Sequence, residues 1–146
     1  MNKDFVTYEI ALKLEEKGFN ESCYGYYHRD GGDDSFELCG NGNCDFLNSK
    51  NKHRIAAPTI SQVLKWLREE KKIVICIFPH SCGWQADIYK DVHQYYDSEA
   101  ECYLMYYHKE KTEISHSYNW LGIYCIRYVL DNFIYETRNK VQRKED

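Results

Sequence analysis

Seven cysteines and six histidines in 146 residues raise the question of metal or thiol chemistry. Cys39 and Cys44 bracket a Gly-Asn-Gly-Asn tetrapeptide, with His53 downstream and Cys23 and His28 upstream. Thiolate and imidazole are the ligands a tetrahedral zinc requires. The Cys-x4-Cys spacing has no second pair at a standard interval, and His80-Ser81-Cys82 is too tight for both ends to chelate one ion. Free cysteines are therefore expected rather than a metal site. A nucleophilic thiolate needs a helix N-terminus or a cationic neighbour. Cys82, beside His80 in a turn, comes nearest and opens no helix, so no catalytic residue is expected. Asp30, Asp33 and Asp34 could bind a hard cation or act as acid and base, but no EF-hand pattern surrounds them. Turns favour Asp for backbone reasons alone. Gly40-Asn41-Gly42 leads into no helix and no Gly-Lys-Ser/Thr follows, so neither a P-loop nor a dinucleotide fingerprint is present.

The remaining chemistry is aromatic. Fourteen residues are tyrosine, and aromatics make up 16% of the chain. In an early strand Tyr24, Tyr26 and His28 alternate onto one face, with Tyr27 and Arg29 on the other. Trp84 opens a later strand, and Tyr106 and His108 share a face of the last. Aromatic planes with Arg and His are the parts that stack a base and hold its phosphate. Tyr24, Tyr26, His28, Arg29, Trp84, Tyr106 and His108 are thus the expected ligand-binding residues, with no metal and no cofactor. The competing expectation is a sheet face covered by helices, since aromatics serve packing first.

The elements that must position these residues are readable from local signals. A helix is expected over about Thr7 to Lys17, capped by Thr7, ended by Gly18, and buried through Ile10, Ala11 and Leu14. Strands over Cys23–His28 and Ser35–Cys39 flank the turn signal Asp30-Gly31-Gly32-Asp33. Residues 40–57 are expected to form a long loop that has room for a short strand near Phe46. Thr59-Ile60-Ser61-Gln62 fits a capping box, and Ile60, Val63, Leu64 and Leu67 repeat at helical spacing until Lys71 or Lys72. The strand Ile73–Phe78 is apolar on both faces and is expected to be central. Pro79 to Gly83 is expected to turn the chain into strands Trp84–Lys90 and Cys102–His108. A last helix is expected over Tyr118–Tyr135. Ile123, Ile126, Leu130, Phe133 and Ile134 form one face, and Leu121, Tyr124, Tyr128 and Tyr135 a second. A helix apolar on two faces is buried on both, which predicts a homo-oligomer. The tail 138–146 should fray.

Together these read as one α+β domain over residues 1–146. An antiparallel sheet of four to five strands carries three helices in a single layer. The net charge of −4 lacks the footprint of a general nucleic-acid binder, and gives no attraction to anionic membranes. No apolar run is long enough to span a bilayer, and Met1–Ile10 lacks a secretory h-region, so a cytoplasmic protein is expected.

The stretches Tyr8–Phe19 and Ala57–Lys71 resemble a group of small proteins encoded by phages, prophages and mobile elements of gut Bacteroidetes. The Gly83-Trp84 turn and the closing Tyr128–Ile134 segment are similar as well. The resemblance implies a short accessory protein made in the bacterial cytoplasm, and it carries over no site residue. By analogy, such phage proteins counter host defence. The expected function is non-enzymatic sequestration of a small nucleotide-type immune signal. The alternative is an inhibitor that binds a host defence protein directly, and behind both stands a cysteine- or metal-dependent enzyme.

Overall fold

The computed structural model describes residues 3–40 and 53–134. Among them are three α-helices and six strands, which divide into two compact units. The first comprises the chain up to Ile60 together with the part from Ile126 onward; the second runs from Ser61 to Cys125.

The first unit opens with α1 (Tyr8–Glu16). Thr7 caps it, its hydroxyl accepting the Ile10 N–H at 3.3 Å, as expected. At the other end Gly18 takes φ +91° and the Phe19 N–H reaches back to the Leu14 carbonyl. This is a Schellman arrangement that only a residue tolerant of positive φ closes cheaply. Three antiparallel strands follow: β1 (Gly25–His28) lies between β2 (Glu37–Leu38) and β3 (Arg54–Ala57). The core is Val6, Ile10, Leu14, Phe19, Tyr27 and Ile55, with Ile126, Val129 and Leu130 from the last helix. The Tyr27 ring meets Tyr8 and Phe36 edge-on, and its hydroxyl donates to the Val6 carbonyl. Gly25 is small by necessity. A Cβ there would stand 2.7 Å from the Phe36 ring, which Phe5 and Tyr27 hold in place. Gly25→Ala is expected to lower stability by about 1–3 kcal/mol, the cost of overpacking a filled core. A denaturation midpoint equal to wild type would contradict this packing.

The second unit begins with α2 (Ile60–Glu70), whose first turn straddles the boundary; Val63, Trp66 and Leu67 are buried. Lys72, at φ +58°, turns the chain out of the helix. Strands β4 (Val74–His80), β5 (Gly83–Asp97) and β6 (Cys102–Ser115) form a meander in the order β4-β5-β6. Cross-strand partners share a face. One face carries Ile75, Ala86 and Ile88, all buried; the other is the outer face. The last helix, α3 (Tyr118–Asn132), passes from the second unit into the first at Cys125/Ile126.

Several expectations are corrected. One sheet of four to five strands is replaced by two of three strands. The reason is local: β2 and β3 occupy both sides of β1, and the second meander is complete in itself. The end of the expected loop 40–57 is strand β3, whose Arg-Ile-Ala-Ala sequence has little β-propensity of its own but is buried over three of four residues. The expected strand near Phe46 and the frayed tail 138–146 lie outside the described residues. β4 is an edge strand, not a central one: Cys76 and Phe78 are exposed, and Pro79 continues the strand where a missing N–H does no harm. β5 and β6 run about twice as far as expected, through Asp91–Asp97 and Lys109–Ser115. In α3 the buried stripe is Leu121, Cys125, Ile126, Val129 and Leu130, while Ile123, Tyr124 and Tyr128 are half-buried. Ile126, Leu130 and Ile134 of the first expected face are thus buried, Ile123 is only half so, and Leu121 of the second expected face joins the buried stripe.

Candidate functional site on the outer face of the second sheet

The residues expected to bind a nucleotide are divided between the two units. In the first, Tyr24 precedes β1 and is exposed. Tyr26 is buried in β1; the Arg54 guanidinium lies 4.6 Å from its ring centroid, and its hydroxyl donates to Glu37. His28 Nε2 stands 3.3 Å from the same carboxylate. The hydrogen bonds from Tyr26 and His28 hold the Glu37 carboxyl below its ordinary range, and Glu37 raises the Tyr26 phenol. Arg29 is paired with Glu15. The cluster is therefore closed on itself, with carboxylates on its cations where a phosphate would have to bind. In the second unit Trp84 sits at the start of β5, edge-on to Tyr118 at 5.1 Å. Tyr106 lies against His93 at 4.9 Å, and His108 stands 3.4 Å from Glu110. Nine steps along the strand separate Trp84 from His93, about 30 Å at the usual rise, so these rings do not converge.

The other candidates are structural. Asp33 accepts the Tyr8 N–H at 2.8 Å, serving the start of α1. His80 Nδ1 accepts the Cys82 N–H at 3.1 Å within the β4–β5 turn. Among the described residues no group of three His, Cys, Asp or Glu side chains could hold a metal; Cys44 lies outside them.

What the structure does assemble is a surface. Of the twelve large hydrophobic side chains that are exposed among the described residues, ten belong to the second unit. Six of these lie on the outer face: Phe78 on β4, Tyr96 on β5, and Tyr103, Met105, Tyr107 and Ile114 on β6. At its middle is an open apolar depression of about 300 Å³ lined by Val74, Cys76, Tyr89, Val92, Met105 and Tyr107. The Tyr89 and Tyr107 rings meet edge-on there at 5.2 Å. Partial desolvation, aided by the Asp87 charge, pushes the Cys76 thiol up, and its side chain forms part of the apolar wall.

Beside the depression lies Asp87, 6% exposed and the one buried charged residue among those described. Its Oδ1 accepts from Thr112 at 2.8 Å and Gln85 at 3.1 Å, with the Lys109 ammonium at 3.5 Å; its Oδ2 accepts from the Tyr89 hydroxyl at 3.3 Å. Burial pushes this carboxyl up, but the hydrogen bonds and the Lys109 charge together outweigh it and hold the group below the ordinary carboxylate range. Asp87 is thus a tie across β5 and β6 that fixes the Tyr89 ring at the rim of the depression.

Past Tyr89, where β4 ends, β5 and β6 continue as a two-stranded arm. An Asp97 carboxylate oxygen closes its turn by accepting the Glu99 and Ala100 N–H groups, both at 2.9 Å. The arm shows tyrosine on both faces, Tyr96 with Tyr103 on one and Tyr95 with Tyr106 on the other. Sequence reasoning missed this surface because Asp91–Asp97 reads as polar. The usable signal was the alternation Tyr103, Met105, Tyr107, which places three large apolar groups on one side of a strand. No helix of the described residues is long and apolar enough to cross a membrane. No family model, no curated protein and no solved structure matches the chain.

Proposed function

We propose that this chain is a non-enzymatic binding protein that docks on another protein through the outer face of its second sheet. One observation carries the reading. Tyr96, Tyr103, Met105 and Tyr107 stand in solvent on one face of β5 and β6 beside an apolar depression, with Phe78 and Ile114 on the same face beyond Asp87, Thr112 and Lys109. Contiguous exposed apolar patches mark interaction sites, and tyrosine and methionine are enriched at interface cores. The area is of the right order. Aromatic side chains carry about 150–250 Å² each, so side chains exposed by 38–67% offer several hundred Å² towards the roughly 800 Å² per partner of a standard interface. The resemblance to phage-encoded accessory proteins supplies the kind of partner, a defence protein of the bacterial host, and with it the counter-defence role.

The test is isolation of a stoichiometric complex from the host cytoplasm, with the partner then purified and its affinity measured. Tyr103→Ser combined with Met105→Ser is expected to weaken that affinity about 100-fold, since a few aromatic and apolar anchors dominate interface energetics. An affinity unchanged by this pair would remove the outer face from the function. Sequestration of a small nucleotide-type signal is a second reading, favoured by the tyrosine-walled depression, whose volume reaches the lower end of ligand pockets. Depletion of a nucleotide from solution by the protein, and its intact return on heating, would support that reading.

A further inference from the structure

β4 stops at Val74, which pairs with Tyr89, whereas β5 runs on to Asp97. Among the described residues no strand fills the lane that β4 leaves beside the arm. Val92 uses it first: its N–H donates to the Lys72 carbonyl at 3.0 Å. In an antiparallel strand the backbone groups of alternate residues point to the same side. The N–H and C=O groups of Gln94 and Tyr96 therefore face the same lane, and no described strand pairs with them. An unpaired strand edge is a template for another chain. Val92–Asp97 contains no lysine or arginine, the charged side chains that guard an edge, and neither does Cys102–Tyr107 across the arm; Lys109 and Lys111 guard only the part of β6 level with Tyr89 and Ile88.

We infer that the edge Val92–Asp97 takes an extended, basic segment of the partner protein as an added strand. This rests on the protein-docking reading and names the form the partner presents. Backbone pairing would come from Gln94 and Tyr96, and the depression beside Val74 and Val92 receives an apolar side chain of the incoming strand. Charge selects one end. Asp97, Glu99 and Glu101 stand at the turn end of the edge, whereas at the other end Asp91 is offset by Lys72, whose carbonyl accepts the Val92 N–H. The nearest lysine on β5, Lys90, is already paired with Glu110 at 2.8 Å. A segment with apolar residues at alternate positions and Lys or Arg at the end that meets the turn satisfies both features. A second copy of this chain paired antiparallel about Gln94 fits less well, because that register sets Asp97 opposite Asp91, and like charges directly opposed are destabilising.

The experiment uses the full chain and two end-capped, fluorescein-labelled octapeptides, one alternating lysine with valine and its glutamate–valine twin. The lysine peptide is expected to bind at least about ten-fold more tightly than its twin. Binding should slow hydrogen exchange at the Gln94 and Tyr96 amides, and Gln94→Pro, which removes an edge donor, should abolish it while Gln94→Ala does not. Glu99→Lys with Glu101→Lys, confined to the exposed turn, should weaken binding without disturbing the strand. Lysine-peptide binding that survives Gln94→Pro without protecting either amide would overturn strand addition. So would failure of both peptides to bind. Either result leaves the docking face standing if Tyr103→Ser with Met105→Ser still disrupts the host complex. A dimer of the free protein that Gln94→Pro converts to monomer would assign the edge to a second copy and overturn the inference as well.

Discussion

Asp87→Ala is expected to lower stability at pH 7 by about 1.5–3 kcal/mol, the range for hydrogen bonds to a charged group together with the donors left unpaired. Thr112, Gln85 and Tyr89 all donate to this carboxylate and Lys109 stands beside it. The sign of the pH dependence follows from its depressed pKa. The ionised group contributes fully above the unfolded value, about 3.9, and the contribution is lost as pH falls through the lower folded value. The gap between wild type and variant should therefore be flat from neutral pH to about pH 5 and close below about pH 4. Denaturant titrations at pH 7, 5 and 3 would measure it. A gap of the same size at pH 3 would mean that packing, not charge, makes Asp87 matter. The same variant frees the Tyr89 hydroxyl at the rim of the depression, so partner affinity should fall even where the fold persists.

The larger effect belongs to the first unit. Tyr27 is fully buried, its ring packs against Tyr8 and Phe36, and burial pushes its phenol up to about 12. Tyr27→Ala removes the whole ring and is expected to cost about 3–5 kcal/mol, as aromatic-to-alanine changes in cores do. Tyr27→Phe keeps the ring and loses the hydroxyl's bond to the Val6 carbonyl, about 0.5–1.5 kcal/mol. Equal losses in the two variants, read from urea midpoints, would place the energy in the hydroxyl and contradict the packing account. The contrast also separates two uses of tyrosine in one chain. Tyr27 is core, whereas Tyr103 is 67% exposed on a strand of the same residue type.

That contrast shows where sequence reasoning reached its limit. Tyr24, Tyr26 and His28 alternate as expected of a strand, yet alternation says which residues share a face and not what covers it. Tyr26 is buried beneath Arg54, while the Tyr24 side chain, just before the strand, is exposed. Arg29, expected to hold a phosphate, is held by Glu15, fourteen residues earlier on α1. The outer-face residues come from three strands spanning Val74 to Ile114, and nothing at a spacing of a few residues joins them.

By itself, the sequence determined the elements whose signals are local. Thr7 and Gly18 bound α1; Thr59 precedes α2, which ends at Glu70; and Asp30–Asp33 separates β1 from β2. A cap, a turn and a helical stripe are decided within one or two turns of chain, so the residues concerned carry the information. Tertiary structure alone decided that six strands form two sheets, that β4 is an edge, and that β5 and β6 outrun it as an arm. It also decided that Asp87 is enclosed by Gln85, Tyr89, Lys109 and Thr112. Strand pairing joins residues far apart in sequence, and which edge stays unpaired depends on every other strand present. The chemistry of the outer face is therefore a property of the assembled sheet.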